Sequence, residues 1–399
     1  MRIRSLGLTL FAGLTLVVSA CSTAATPVPT SPPASSAAPA PSSAAPSESA
    51  SPSAPASPSA STAAWKVGVV TDVGTLDDKN FNQFSFEGAV KGASDIGAAT
   101  PPSIVPKDAS EYGSDIQNFV DQGYNIIVTV GFNLAADTTK AAQKNPKVWF
   151  VGVDQSPICV DATGALDTTF ACKGDAKTLL PNYISLQFAE DQAGYLAGIV
   201  AASISKTGKI GAIGGINSVP PVVRYIQGYE LGAKSVNPNI TVSSAYVSTS
   251  DFGKAFNDPA GGKTFATQFL KSHAGTDVLF QVAGKTGNGI LDAACAAKIM
   301  AIGVDVDQFL SYANADACIW TSAEKHLSSA VQQTIDAIAG NKAVAGDNKF
   351  DASNDGIGVS DFHDKAGSMP AALAGKLTDA LAGMKAGTVT TCPAKCGQP

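Results

Sequence analysis

The 399-residue sequence is poor in the residues that most often carry chemistry: it has three histidines, three tryptophans and four methionines, and only 15% of its positions are charged. His273, His326 and His363 are scattered, and the close pair in Cys392-Pro-Ala-Lys-Cys396 has no second pair of ligands nearby, which argues against zinc. There is no run of lysine or arginine. Beyond residue 64, 25 basic residues face 32 acidic ones, a net charge of −7, so there is no electrostatic footprint for nucleic acid or for an anionic membrane surface. After Cys21 no apolar stretch approaches the ~18 residues that a membrane-crossing helix needs.

Enzyme signatures are missing as well. Gly-Lys-Thr occurs at 262–264 and 284–286, but a phosphate-binding loop needs a glycine five residues earlier, where Asn257 and Leu279 stand. Gly208, Gly211 and Gly214 miss the dinucleotide spacing. Neither GxSxG nor HExxH is present. The segment from Asp351 resembles the start of a calcium loop, yet Phe362 occupies its twelfth position in place of a bidentate glutamate. The carboxylate pairs Asp77/Asp78 and Asp305/Asp307 diverge along the chain, so neither is suited to acting jointly on one bond. The expectation is a protein without catalysis and without a cofactor.

Two different materials are present. Residues 1–20 begin Met-Arg-Ile-Arg and continue into an apolar run, Leu6 to Val18, too short to span a membrane comfortably, which reads as an export signal. It ends in Val18-Ser19-Ala20-Cys21, which resembles the lipobox of bacterial lipoproteins and marks Cys21 for lipidation. Residues 22–64 consist of Ala, Ser, Pro and Thr except for Val28 and Glu48. Such a chain cannot bury enough apolar surface to offset its entropy, so residues 21–64 read as a lipid-anchored, disordered spacer. Removing Cys21 leaves six cysteines, Cys159, Cys172, Cys295, Cys318, Cys392 and Cys396. An even number in an exported chain permits disulfides, and sequential pairing is the simplest of the fifteen arrangements.

From Trp65 the chain alternates short apolar runs with amphipathic helical stretches. Strands are expected at Lys66–Thr71, Ser103–Pro106, Asn125–Val130, Val148–Val153 and Tyr183–Phe188. A second series is expected at Lys209–Ile213, Thr241–Val247, Val278–Val282 and Ala301–Val304, with short late strands near Ile319–Ser322 and Ile357–Ser360. Near-continuous apolar strands joined by crossover helices imply an α/β protein with parallel sheets covered on both faces. Two series imply two Rossmann-like lobes with a ligand cleft between them: residues 65–190 with 306–340, and 191–305 with 341–399. In such sheets ligands bind beyond the carboxyl ends of the strands, so the residues just after each strand are the candidates.

Those residues carry a resemblance. Val69-Val70-Thr71-Asp72-Val73-Gly74, followed by Asp78-Lys79-Asn80-Phe81-Asn82-Gln83, resembles the opening signature of the basic membrane protein family, the lipoprotein substrate-binding components of ABC importers for purine nucleosides. Ser205 to Gly211, Pro220 to Tyr229, Phe256-Asn257-Asp258-Pro259, Ala283 to Gly289 and Ile302 to Gln308 resemble its later blocks in order. The resemblance implies a type I periplasmic-binding fold and a nucleoside held between two rings, Phe81 and Phe256. Asp78, Asn82 and Asp154 would line the first lobe's side, Gly284 would admit close backbone approach, and Asp305 and Lys325 would address the ribose. It also implies a monomer tethered to the membrane at Cys21 and delivering its ligand to an ABC permease. Lys285 departs from the pattern by replacing a usual glycine, and either snorkels outward or alters ligand choice. A sugar or autoinducer-like solute on the same fold, a surface adhesion or signalling lipoprotein, and an exported hydrolase remain open from the residues alone.

Overall fold

The structure, a computed structural model, describes residues 64–398 except 156–158, 168 and 170. The expected signal, Cys21 and the spacer as far as residue 63 lie outside the described residues. The strands are β1 Val67–Thr71, β2 Ser103–Ile104, β3 Ile126–Val130, β4 Trp149–Val153, β5 Tyr183–Phe188, β6 Lys209–Ile216, β7 Thr241–Ser248, β8 Val278–Val282, β9 Met300–Asp305, β10 Ile319–Lys325, β11 Gly346–Phe350 and β12 Ile357–Val359. The helices are α1 Phe81–Asp95, α2 Tyr112–Asp121, α3 Ala135–Lys144, α4 Ala176–Leu179, α5 Glu190–Ile204, α6 Pro220–Val236, α7 Phe252–Phe256, α8 Pro259–Ser272, α9 Gly284–Ala296, α10 Gln308–Ser311, α11 Leu327–Ala339 and α12 Leu373–Lys385. Among the described residues no helix is long and apolar enough to cross a membrane.

The strands form two six-stranded sheets, β11-β5-β4-β3-β1-β2 and β12-β10-β9-β8-β6-β7. Every residue of β1, β3 and β8 is buried, as runs such as Val67-Gly-Val-Val-Thr71 require when helices cover both faces. All pairings are parallel except β10 with β12. In each sheet the strand order reverses beside the first strand, at β1/β3 and at β6/β8, and a crevice opens at such a point beyond the carboxyl ends.

The division between lobes differs from the expected one. β10 pairs in parallel with β9, so residues 319–325 belong to the second sheet, and the segment 306–325 that leads through it goes with the second lobe and not the first. β11 pairs with β5, which brings residues 346–350 into the first lobe, where the expected boundary gives them to the second. Its sequence, Gly-Asp-Asn-Lys-Phe, lacks an apolar run because it is a half-exposed edge strand, and this is why it escapes sequence reading. The chain therefore crosses between lobes at 188–190, at 325–327 and at 350–357.

At the first crossing α5 packs on α6 with almost no side chain between them. Gly194 and Gly198 on one helix and Gly228 and Gly232 on the other are each four residues apart and so share one face. A Cβ at any of the four would lie 1.9–2.1 Å from a carbonyl oxygen of the facing helix, so the backbones touch. Gly198→Ala is expected to force the helices apart and to cost about 1–3 kcal/mol, read as a lowered urea midpoint.

Candidate functional site

The loop from Asp72 to Asn80 leaves the end of β1 and turns into α1. The Asp78 carboxylate accepts from the backbone N–H groups of Asn80 (2.9 Å), Asn82 (2.9 Å) and Gln83 (3.1 Å), which closes the exposed N-terminal turn of the helix. Phe81 is thereby fixed as the first residue of α1, its ring half-buried. Asn82 donates to the Val73 carbonyl at 2.9 Å, while its Oδ1 is buried without a partner among the described residues. Asp72 accepts from the N–H groups of Val73 (2.6 Å) and Asn133 (3.2 Å), and burial pushes its carboxyl up to about 7.

The second lobe supplies the facing wall. Phe256 ends α7, and its ring lies where a side chain at Gly215 would collide with it at 2.5 Å. Gly284 opens α9 with φ +50, a left-handed conformation that costs glycine little, and packs against Phe256. Both rings line one cleft between the lobes. All eight residues expected to hold a ligand, Asp78, Phe81, Asn82, Asp154, Phe256, Gly284, Asp305 and Lys325, line this cleft.

At its inner end the two lobes repeat one device. Asp154 follows β4 with φ +60, and Asp305 ends β9 with φ +64. A non-glycine residue held left-handed is uncommon, and the matched pair turns both carboxylates toward one ammonium. Lys325 Nζ lies 2.6 Å from Asp154 Oδ2, 3.3 Å from Glu190 Oε1 and 3.6 Å from Asp305 Oδ1, with the side chain 2% exposed. Burial alone would discharge such a lysine, but the three carboxylates hold its pKa above the usual range. Burial pushes Asp154 up to about 6 and raises Asp305 too, against the pull of Lys325. Asp154 Oδ1 is buried without a partner among the described residues. Tyr225 donates to Asp305 Oδ1 at 3.3 Å. Glu190 and Arg224, joined at 2.6 Å behind Lys325, were not legible in sequence, because 34 positions separate them and 135 separate Glu190 from Lys325. Asp72 sits inside the motif that sequence reading quotes and is passed over there.

At the mouth, Lys285 neither points into solvent nor enters the cleft as a free cation. It donates to Thr75 Oγ1 (2.9 Å) and Asp77 Oδ1 (3.0 Å) of the other lobe. Asn288 donates to the Asp78 carbonyl (3.0 Å) and Ser311 to that of Lys79 (2.8 Å), so the loop after β1 is stitched to α9 and α10. Away from the cleft, Cys159–Cys172, Cys295–Cys318 and Cys392–Cys396 are bonded, with Cα separations of 4.6, 5.4 and 5.4 Å.

The family described as ABC transporter substrate-binding protein PnrA-like matches residues 65–370. The chain is 34% identical over 254 residues to the ABC transporter nucleoside-binding protein BmpA of Lactococcus lactis subsp. cremoris, covering 61% of this chain and 64% of that protein. It is 29% identical over 246 residues to basic membrane protein A1 of Borrelia garinii subsp. bavariensis, covering 61% and 64%. The matched region thus spans just under two thirds of these relatives' length. An ABC transporter solute-binding protein from Aeropyrum pernix K1 shares the fold with a TM-score of 0.62 at 24% identity, covering 82% of this chain and 87% of its own.

The raised carboxyls have a consequence for stability. Asp72 titrates near 7 and Asp78 near 6 when folded, against about 3.9 unfolded, so across that window the folded protein keeps protons the unfolded chain has released. Stability therefore falls as pH rises from about 4 to about 7, and the last unit belongs mainly to Asp72. Asp72→Asn should remove most of a loss of up to about 1.4 kcal/mol between pH 6 and 7, measured by urea unfolding at each pH.

Proposed function

The chain belongs to the PnrA-like family of ABC transporter substrate-binding proteins, and from that premise we propose that it captures a purine nucleoside between its two lobes and presents it to a membrane permease. The observation that carries this reading is the pairing of two rings from opposite lobes, Phe81 and Phe256, on a cleft whose far end holds Asp154, Asp305 and Lys325. A flat base gains roughly 1–3 kcal/mol from stacking on an aromatic ring whatever its identity. Discrimination falls to the polar end, where carboxylates accept from ribose hydroxyls and a ligand lacking them strands buried acceptors. The relative from Lactococcus lactis, named as nucleoside-binding, supports the same solute class.

Charge in the cleft favours a neutral ligand. Four carboxylates, Asp72, Asp78, Asp154 and Asp305, line it against two lysines, and both lysines already face carboxylates. A phosphate would meet no unpaired cation there. We place the protein on the extracytoplasmic face, anchored through a lipid at Cys21 and acting as a monomer, the spacer giving the lobes reach to the permease.

Phe81→Ala and Phe256→Ala are each expected to weaken inosine binding at least tenfold in calorimetry while thermal unfolding stays cooperative; unchanged affinity in both would end the sandwich reading. Mass spectrometry of material released on denaturation should identify a nucleoside. Lys285→Gly removes the link across the mouth and should raise the ligand's off-rate roughly 2–5-fold at low salt, with a smaller effect at 0.5 M salt, in stopped-flow displacement.

A further inference from the structure

Glu190 does not line the cleft, yet among the three carboxylates around Lys325 it is the one that also pairs with a second, partly buried cation. Its side chain is fully buried at the first position of α5, where the helix N-terminus favours negative charge. Oε2 accepts from Arg224 Nε at 2.6 Å, and Oε1 lies 3.3 Å from Lys325 Nζ as an ion pair, without a hydrogen-bond partner among the described residues. The Arg224 and Lys325 charges hold its carboxyl below the ordinary range although burial alone would raise it. Arg224, in the first turns of α6, keeps only 21% of its side chain exposed. Glu190 is thus pinned from behind by a planar, bidentate-capable partner that does not line the cleft.

The distances indicate what this arrangement does. Lys325 has three N–H donors and three carboxylate neighbours, and it leans toward Asp154 (2.6 Å) and away from Asp305 (3.6 Å). The rings of Phe81, Phe188 and Tyr225 lie around Nζ at 5.3–5.5 Å. The ammonium is already bonded to Asp154, and without the charge of Glu190 it would have less to hold it within reach of Asp305. We propose that Glu190, held by Arg224, is a positioning residue: it keeps Lys325, which is bonded to Asp154, within ion-pair reach of Asp305 as well, and so sets the protein's preference for ligands that carry vicinal ribose hydroxyls.

This inference rests on the nucleoside reading, and its test separates the two. Inosine and 2′,3′-dideoxyinosine share the base and differ in the hydroxyls. Their affinities are measured by calorimetry on the full-length protein, on Glu190→Gln, on Arg224→Gln and on the double variant. The wild type should prefer inosine strongly; binding neither compound would overturn the nucleoside reading. Given that preference, Glu190→Gln and Arg224→Gln should each shrink the inosine-to-dideoxyinosine ratio at least tenfold, with dideoxyinosine affinity changed less than twofold. The double variant should be no worse than Glu190→Gln alone, because Arg224 acts through Glu190. A merely structural role would weaken both compounds in parallel and leave the ratio intact, and that result would overturn the proposal. Should Glu190→Gln fail to fold by circular dichroism, Arg224→Gln decides alone, since its side chain reaches solvent and its loss leaves the cleft lining unchanged.

Discussion

A lysine buried at the junction of two lobes is expensive to maintain, and much of this molecule is organised around keeping Lys325 charged. Removing one partner from such a buried cluster typically costs 3–5 kcal/mol, because the remaining charge is left uncompensated. The compensation comes from Asp154 in the first lobe, Asp305 in the second and Glu190 at the crossing. The ammonium is therefore satisfied only when both lobes and one hinge segment stand in the relation seen here. The arrangement of the lobes and the pairing of this charge are tied together.

The two aspartates show how the fold provides for this. Asp154 follows β4 and Asp305 ends β9, each the fourth strand counted from the β2 or β7 edge of its sheet, and each is held in a left-handed conformation that side chains other than glycine rarely adopt. Strain of this kind persists only where the surroundings over-determine it. Behind both lie buried glutamines: Gln155 bonds to Thr129 and Gly131, and Gln308 to Val304 and Asn288. The lobes thus share a way of ending a strand as well as a strand order.

Much of this was legible in sequence. The apolar β-branched runs of β1, β3, β4, β5 and β8 predict buried parallel strands, and the turns after them predict where a cleft forms. What escaped was what lacks a local signature. β11 is polar because one of its edges meets solvent, and α2, α3 and α12 were not singled out among the many small and polar residues of their segments. The cluster around Lys325 joins residues between 20 and 171 positions apart, and no spacing rule connects them. Phe81 and Phe256 are likewise 175 positions apart and come together only because both lobes wind the same way. The family resemblance named them; their separate strand-end loops explain why they meet.

The edge strand β11 also bears on how such a chain reaches its final form. The first lobe is not a contiguous stretch: its sixth strand and the helix α11, which packs on α1, are both encoded after the whole second sheet except β12. Synthesis or export of residues 64–188 alone leaves β5 with an open edge and α1 uncovered, so the N-terminal lobe cannot mature ahead of the other as independent domains do. Long-range pairing of this kind delays folding until most of the chain is available.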